Sequence, residues 1–559
     1  MATLPGGVPA SLTRSSSILA ILLMLIVLAS GGLLRLVAAL SLTPHVDEAS
    51  SLLAAHAVAE RGLPILPSGT VYLQGATLSY LLAPFIWLGY GDLADLWLLR
   101  LVIVVAGIAA VWFSYRLAST ITGSVRTGVV MAMLVAFDPL SIQWSGHLRM
   151  YGLLQVLTIA LALAWALVLA RGATWPRLAA VVVLFWAAVF THVGAALLGP
   201  AMFIAAVVVH RRALIHQGRV GLALALSAVG AGTLMVLNRV LGSASVGDPQ
   251  QKSSSKLLSF VGDNLLTPFA NSPDEFDWMA LTRGGNLFWL IPGVLVAIAT
   301  VAGGRLLLRK RSLIARTGAV VVLTMYWFPM AAVGLFTSSP KERYVLHSHL
   351  LGYLFAAVII VSVIRRWQDA RAETPGIPPV FAQVFSVAIA VTLISGATWR
   401  LQNPVVHPDH HAAMEYITEH HVAGEPIISS LPAIAYLAID EEDRDDLYFL
   451  AGEQDQSRAR RYTRYTGEGV LIDYWVGADA LVSSTRLQVF LRQHPDAWVV
   501  VDRERLQAEW AYAGVVEDIL RESTVPVAIT AGGGLVLRPA QLSEADNARL
   551  WSLALDGNP

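Results

Sequence analysis

The chain has 559 residues, 55 % of them hydrophobic and only 14 % charged, with a mean hydropathy of +0.60. That is too apolar for an ordinary soluble protein and places the chain in a bilayer. Lys plus Arg and Asp plus Glu balance at 39 each, leaving no net charge to attract nucleic acid, and the absence of cysteine excludes disulfides, thiolate metal sites and a cysteine nucleophile.

Residues 1–16, which contain Arg14, read as a cytoplasmic N-terminal tail. The apolar run that follows has no small-residue cleavage site, so it is expected to be a retained span and not a removed signal. A helix needs roughly 20 apolar residues to cross a bilayer. About eleven such runs follow in order, at 18–42, 97–118, 127–142, 151–170, 178–192, 194–210, 219–241, 285–303, 314–335, 347–364 and 378–399. The further apolar stretch Thr77–Leu88 is read as a short helix lying along the outer surface. With that choice, sixteen basic residues from Arg14 to Arg371 fall in cytoplasmic loops and seven in the outer loops up to residue 346. Making residues 77–88 a full span would invert every later loop against the positive-inside rule.

Eleven crossings from a cytoplasmic start put the C-terminus outside. From about Asn403 the chain turns polar, with helical stretches near 409–421, 484–493 and 504–521 alternating with β-rich runs at Pro426–Ser430, Ala497–Asp502 and Val525–Thr530. The expected architecture is therefore an α-helical polytopic membrane protein, 17–402, followed by an extracytoplasmic α/β domain, 403–559. The run Asp440–Asp446 holds six acids and one arginine, and reads as a solvated loop in preference to a calcium site. The long outer segment Gly242–Gly284 has the length of a functional or disordered loop.

Polar residues gather at the outer ends of the spans: Asp47, Glu48 and His56 in the first loop, Asp138, Gln143, His147, Arg149 and Tyr151 in the second, His192 in the third, and Lys341, Arg343, Tyr344, His347 and His349 in the fifth. Ionisable groups at such positions are rare and usually functional. The acidic pair Asp47–Glu48 can act as a general base, can hold a divalent ion, or can simply start the helix that follows; the local pattern does not choose. Arg149 and Tyr151 also fit an interfacial belt, and His192 a satisfied histidine at a span end. Lys341 and Arg343 place two cations outside against the charge rule, where a lipid phosphate is a natural partner. Arg35 and Arg100, inside spans, either join that site or snorkel.

The order of these features resembles the GT-C superfamily of membrane glycosyltransferases, in particular the protein O-mannosyltransferase and aminoarabinose transferase-like enzymes. The resemblance is carried by His45-Val-Asp47-Glu48, the Gln74–Gly89 stretch with Leu98-Leu-Arg100-Leu, Phe137-Asp-Pro139 leading to His147-Leu-Arg149-Met-Tyr151, Thr191-His192, and Glu342-Arg343-Tyr344. It implies a GT-C fold and transfer of a sugar from a polyprenyl-phosphate donor to an acceptor at the outer face of the plasma membrane. It further implies Asp47 as catalytic base with Glu48 beside it, and donor phosphate held by Arg343, Lys341, Arg149 and Tyr344. The substrate pocket would be lined by His45, His147, Tyr151, His192 and His347. Two departures stand out: Arg149-Met-Tyr151 replaces the second-loop aspartate of the O-mannosyltransferases, and Val71-Tyr-Leu-Gln74 replaces their His-Pro-Pro type sequence. The pattern demands no cofactor and leaves a divalent metal open, and the acceptor, whether protein, glycan or lipid, stays open too. A transporter or lipid flippase would instead line a path from both sides and repeat its halves. A membrane-anchored binding protein would work through its outer domain.

Overall fold

The computed structural model describes residues 10–211, 217–245, 287–336, 342–368, 379–402, 407–453, 459, 462–508, 511–512, 515–540 and 542–556. Lys341, nearly all of the Gly242–Gly284 segment and the side chain of Glu342 lie outside the described part. The chain divides into two compact units: Met1–Leu40, Arg100–Leu234 and Ser254–Asn403 form the first, and Ser41–Leu99, Met235–Ser253 and Pro404–Pro559 the second.

Among the described residues nine helices are long and apolar enough to cross a membrane. In chain order the helices are α1 Ala10–Ser41, α2 Val46–Arg61, α3 Ala76–Trp87, α4 Leu96–Thr122, α5 Val125–Ala136, α6 Pro139–Gly146, α7 Met150–Arg171, α8 Trp175–Thr191, α9 Leu198–His210, α10 Gly218–Ser245, α11 Leu287–Leu308, α12 Leu313–Phe336, α13 Leu346–Gln368 and α14 Pro379–Gln402. The expected single span 127–142 is instead two helices, α5 and α6, meeting at a 60° bend. The reason is local: Asp138 caps α6 and Pro139, lacking an N–H, starts it. The apolar α8, at 17 residues, is shorter than the other spans, and the 12-residue α3 would reach only about 18 Å.

In the first unit α13 is the hub. It packs on α5, α7, α11, α12 and α14, because its side chains are apolar or small all round and most of its span is buried. Close approach depends on missing side chains: a Cβ at Gly352 would sit 2.2 Å from Val296, and one at Gly303 would sit 2.6 Å from the Phe355 carbonyl. Lipid-facing surfaces are apolar in the same way, as on α1, where Ile18, Ile21, Ile26 and Leu33 are exposed.

The second unit joins the segment 41–99 to the C-terminal domain. Thr43 Oγ1 donates to the His407 carbonyl at 3.0 Å, and Ser68 Oγ donates to the Tyr474 carbonyl at 2.7 Å. Tyr72 meets Trp475 edge-on at 5.7 Å. The domain is an eight-stranded sheet in the order β3-β4-β5-β2-β1-β6-β8-β7. Its strands are β1 Ile427–Ser429, β2 Leu447–Leu450, β3 Thr463–Tyr465, β4 Leu471–Asp473, β5 Asp479–Leu481, β6 Trp498–Asp502, β7 Thr524–Thr530 and β8 Gly534–Pro539. Strands β5, β2, β1 and β6 are parallel and both flanks antiparallel. The run Trp-Val-Val-Val-Asp of β6 is buried at every position, as a strand covered on both faces must be. The sequence placed β1, β6, β7 and the helices His410–His420 and Ser484–Gln493 to within a residue or two. The run 504–521 holds two shorter helices, Arg503–Gln507 and Val515–Ser523, not one. The acidic stretch Glu441–Asp446 is a 3₁₀ turn with no buried residue.

A buried charge pair ties this domain together. His410 Nε2 lies 3.1 Å from Asp502 Oδ2, and Arg505 also binds that carboxylate. Burial alone would raise the Asp502 pKa, but the hydrogen bond from His410 and the Arg505 charge outweigh it and hold the carboxyl well below its ordinary range. A depressed folded pKa stabilises the fold above the unfolded carboxyl value, and this stabilisation is lost as pH falls from about 4 toward the folded value. Acid titration of the full protein, followed by tryptophan fluorescence, is expected to show a loss of stability in that window that Asp502→Asn removes; an unchanged acid limb in the variant would assign it to other carboxylates.

Candidate active site

In the first unit, α6 carries Trp144, the turn between α6 and α7 carries His147 and Arg149, and the first turn of α7 carries Tyr151. The Trp144, His147, Tyr151 spacing of three and four holds these rings together: Trp144 lies 4.7 Å from Tyr151 and 5.4 Å from His147 between ring centroids. Tyr151 is 5.6 Å from His192, which stacks on Tyr344 at 6.1 Å. The Arg343 guanidinium sits over Trp144, Tyr151 and Tyr344 at 5.6, 5.8 and 5.7 Å. Both Arg149 and Arg343 lie within electrostatic range of His192, and His192 within range of His347.

Seven of the expected residues therefore converge: His147, Arg149, Tyr151, His192, Arg343, Tyr344 and His347. All but Arg343 and Tyr344 are buried. Among the described residues Trp144 Nε1, Arg343 Nε and both ring nitrogens of His347 have no hydrogen-bond partner. Buried polar atoms are normally satisfied, and four open ones in one cluster can meet a polar ligand. The arrangement suits an anion: two guanidiniums, one over three aromatic faces, can grip an oxyanion bidentately while the rings exclude water. Trp144 was not foreseen, although its spacing to His147 and Tyr151 was readable.

The remaining acid of this region has a structural task. Asp138 is buried, its Oδ1 accepting from the Ser141 N–H at 2.6 Å and its Oδ2 from the Tyr353 hydroxyl at 2.7 Å, with His349 Nε2 3.8 Å away. Arg35 donates to the carbonyls of Val135 and Ala136, to Gly31 O and to Ser141 Oγ at 2.7–3.0 Å. The break at Pro139 strips the end of α5 of its helical partners, and Arg35 supplies them where no water reaches. Arg100 likewise donates to the Ala39 carbonyl at 2.9 Å. Both arginines are buried and neither snorkels.

The second unit holds His45, Asp47 and Glu48. Helix α2 is capped by His45, whose Nδ1 accepts from the Asp47 N–H at 3.1 Å, while Glu48 Oε2 accepts from the His45 N–H at 3.0 Å. Glu48 is fully buried in that box, whereas the Asp47 side chain is 29 % exposed, its Oδ2 4.0 Å from His45 Nδ1. The His45 ring packs on His407 at 4.2 Å. Of the pair, Glu48 thus carries the helix start and Asp47 presents a carboxylate. Among the described residues no three His, Asp or Glu side chains gather to ligate one ion.

No family model and no curated sequence matches the chain. Solved structures do. The oligosaccharyltransferase AglB of Archaeoglobus fulgidus, in complex with an inhibitory peptide and a dolichol-phosphate, superposes with a TM-score of 0.54 at 12 % identity, over 94 % of this chain and 75 % of its own. ArnT of Cupriavidus metallidurans, bound to undecaprenyl phosphate, gives 0.54 at 14 % identity, over 94 % and 98 %. At such identity the likeness is one of fold, and it agrees with the helical spans and the C-terminal sheet domain: this chain is a multi-pass membrane protein with the GT-C fold.

Proposed function

We propose that the protein is a glycosyltransferase that moves a sugar from a polyprenyl-phosphate donor to an acceptor hydroxyl, at the outer face of the plasma membrane with its N-terminus cytoplasmic. The observation that carries the reading is Arg343 over three aromatic rings, with Arg149 near the same His192 and with open buried polar atoms beside them, in a fold shared with an ArnT solved with undecaprenyl phosphate bound. In this reading Arg343, Arg149 and Tyr344 hold the donor phosphate, with Lys341 as a further cation from outside the described residues. Tyr151, His147, His192 and His347 line the sugar.

Transfer breaks the bond between the anomeric carbon and the phosphate oxygen, which leaves with the electron pair as polyprenyl phosphate. Fixed cations near those oxygens stabilise the charge as it develops. The acceptor oxygen forms the new bond and its proton passes to Asp47, the half-exposed carboxylate, with His45 beside it.

The donor half of the proposal is tested at Arg343. Arg343→Ala is expected to weaken binding of a polyprenyl-phosphate sugar by about 1.5–3 kcal/mol, roughly 10- to 150-fold, with Arg343→Lys recovering only part because a point charge cannot reproduce the fork. Calorimetric or fluorescence titration with the lipid donor reads this directly, and unchanged affinity in the alanine variant would make Arg343 a structural residue.

A further inference from the structure

A second cluster of cations stands apart from the site just described. Within the first unit, the C-terminal ends of α4 and α11, the start of α5 and the last turns of α13 enclose a cavity of about 280 Å³ lined by Arg309, Lys310 and Arg365, with Thr127, Leu306 and Val358 among its walls. Basic residues at the C-terminal ends of helices are ordinary, since they complement the helix dipole and the leaflet charge. What sets these three apart is that they line one cavity. Among the described residues none of them has a carboxylate within ion-pair distance, and no acid lines the space.

Like charges held together raise one another's energy unless an anion joins them. At Lys310, burial first and then the charge of Arg365 lower the ammonium pKa. The chemistry of the walls narrows the anion. Three cations and the Thr127 hydroxyl form the polar side, while Leu306, Val358 and Val361 give an apolar flank. Thr127 lies in the first turn of α5, its N–H held by the Ser124 cap, and that turn adds the positive end of the helix dipole. The cavity lies where the spans Ile291–Leu308 and Leu346–Trp367 end, and the end of a span is where headgroups are expected.

We propose that this pocket binds the phosphate headgroup of an anionic phospholipid, its glycerol and first acyl carbons against the apolar wall. The shared chemistry is a phosphate oxyanion, and a free inorganic phosphate is the soluble alternative. The lipid is favoured by the apolar wall and by the position at the ends of two spans; juxtamembrane basic pockets recognise anionic headgroups in this way.

The test uses the full-length protein in phosphatidylcholine nanodiscs containing a small fraction of phosphatidylglycerol, released into native mass spectrometry. Phosphatidylglycerol is expected to be retained in preference to phosphatidylcholine. Each single replacement, Arg309→Gln, Lys310→Gln or Arg365→Gln, should weaken retention about fivefold, and the triple replacement on the order of a hundredfold, at roughly 1 kcal/mol per cation. Arg316→Gln, on α12 and outside the cavity lining, should change nothing; the single variants keep the test open if the triple one fails to fold. Equal retention of both lipids, or retention in the single variants equal to that of the parent, overturns the proposal. Displacement of phosphatidylglycerol by millimolar inorganic phosphate overturns the lipid assignment as well, by showing a site for the free anion.

Discussion

Asp47→Asn is expected to leave binding of the lipid donor intact and to lower sugar transfer by about two orders of magnitude or more. The substitution keeps the size of the side chain and removes the charge that would take the acceptor proton. In many helices an aspartate two residues into the first turn would also be suspected of capping, and its loss would then act through stability. Here that ambiguity is reduced by local geometry: His45 and Glu48 make the capping box, the former accepting from the Asp47 N–H and the latter from the His45 N–H. Melting temperature in detergent is therefore expected to stay nearly unchanged in Asp47→Asn. Glu48→Gln should cost less in transfer, since an amide oxygen can still accept from His45. Full transfer by purified Asp47→Asn, with donor and acceptor both correct, would remove Asp47 from the chemistry while leaving the donor site to stand or fall on Arg343.

The spans were legible because each is a run of about 20 apolar residues, a signal that needs no knowledge of neighbours. The orientation-dependent grouping of His147, Arg149, Tyr151, His192 and Arg343 was legible for a related reason: polar residues at span ends are few, and loop order alone brings them to one end. What the sequence hid was compensation at a distance. Phe137-Asp-Pro139 carries both a cap and a helix-starting proline, yet a break in the middle of an apolar run looks prohibitive until Arg35, about a hundred residues earlier, is seen to satisfy the carbonyls of Val135 and Ala136. The first-loop segment offered no hint of its partner, because Ser68 and Thr43 reach the C-terminal domain through main-chain carbonyls, which have no residue signature. The strands β4 and β5, three residues each, are too short for alternation to show. His45 as a cap was missed because capping is usually read from Ser, Thr, Asp and Asn.

Arg35→Met is expected to destabilise the first unit by about 2–6 kcal/mol, the cost of two buried carbonyls left unpaired. Methionine fills the space but donates nothing. The Val135 and Ala136 carbonyls would then stay unpaired in an apolar interior, each at a cost of about 1–3 kcal/mol. Asp138 would also lose the nearby guanidinium charge, although it would keep the Ser141 N–H and the Tyr353 hydroxyl. Arg35→Lys should recover a minority of the loss, because one ammonium cannot span the carbonyls of Gly31, Val135 and Ala136 and the Ser141 hydroxyl together. Denaturation of detergent-solubilised protein, read beside donor titration on whatever folds, separates two outcomes. A fall in stability with donor affinity preserved per folded molecule is what the hydrogen bonds require. Wild-type stability with weakened donor binding would mean instead that Arg35 serves the lipid phosphate, and that the break at Pro139 is held open by other groups.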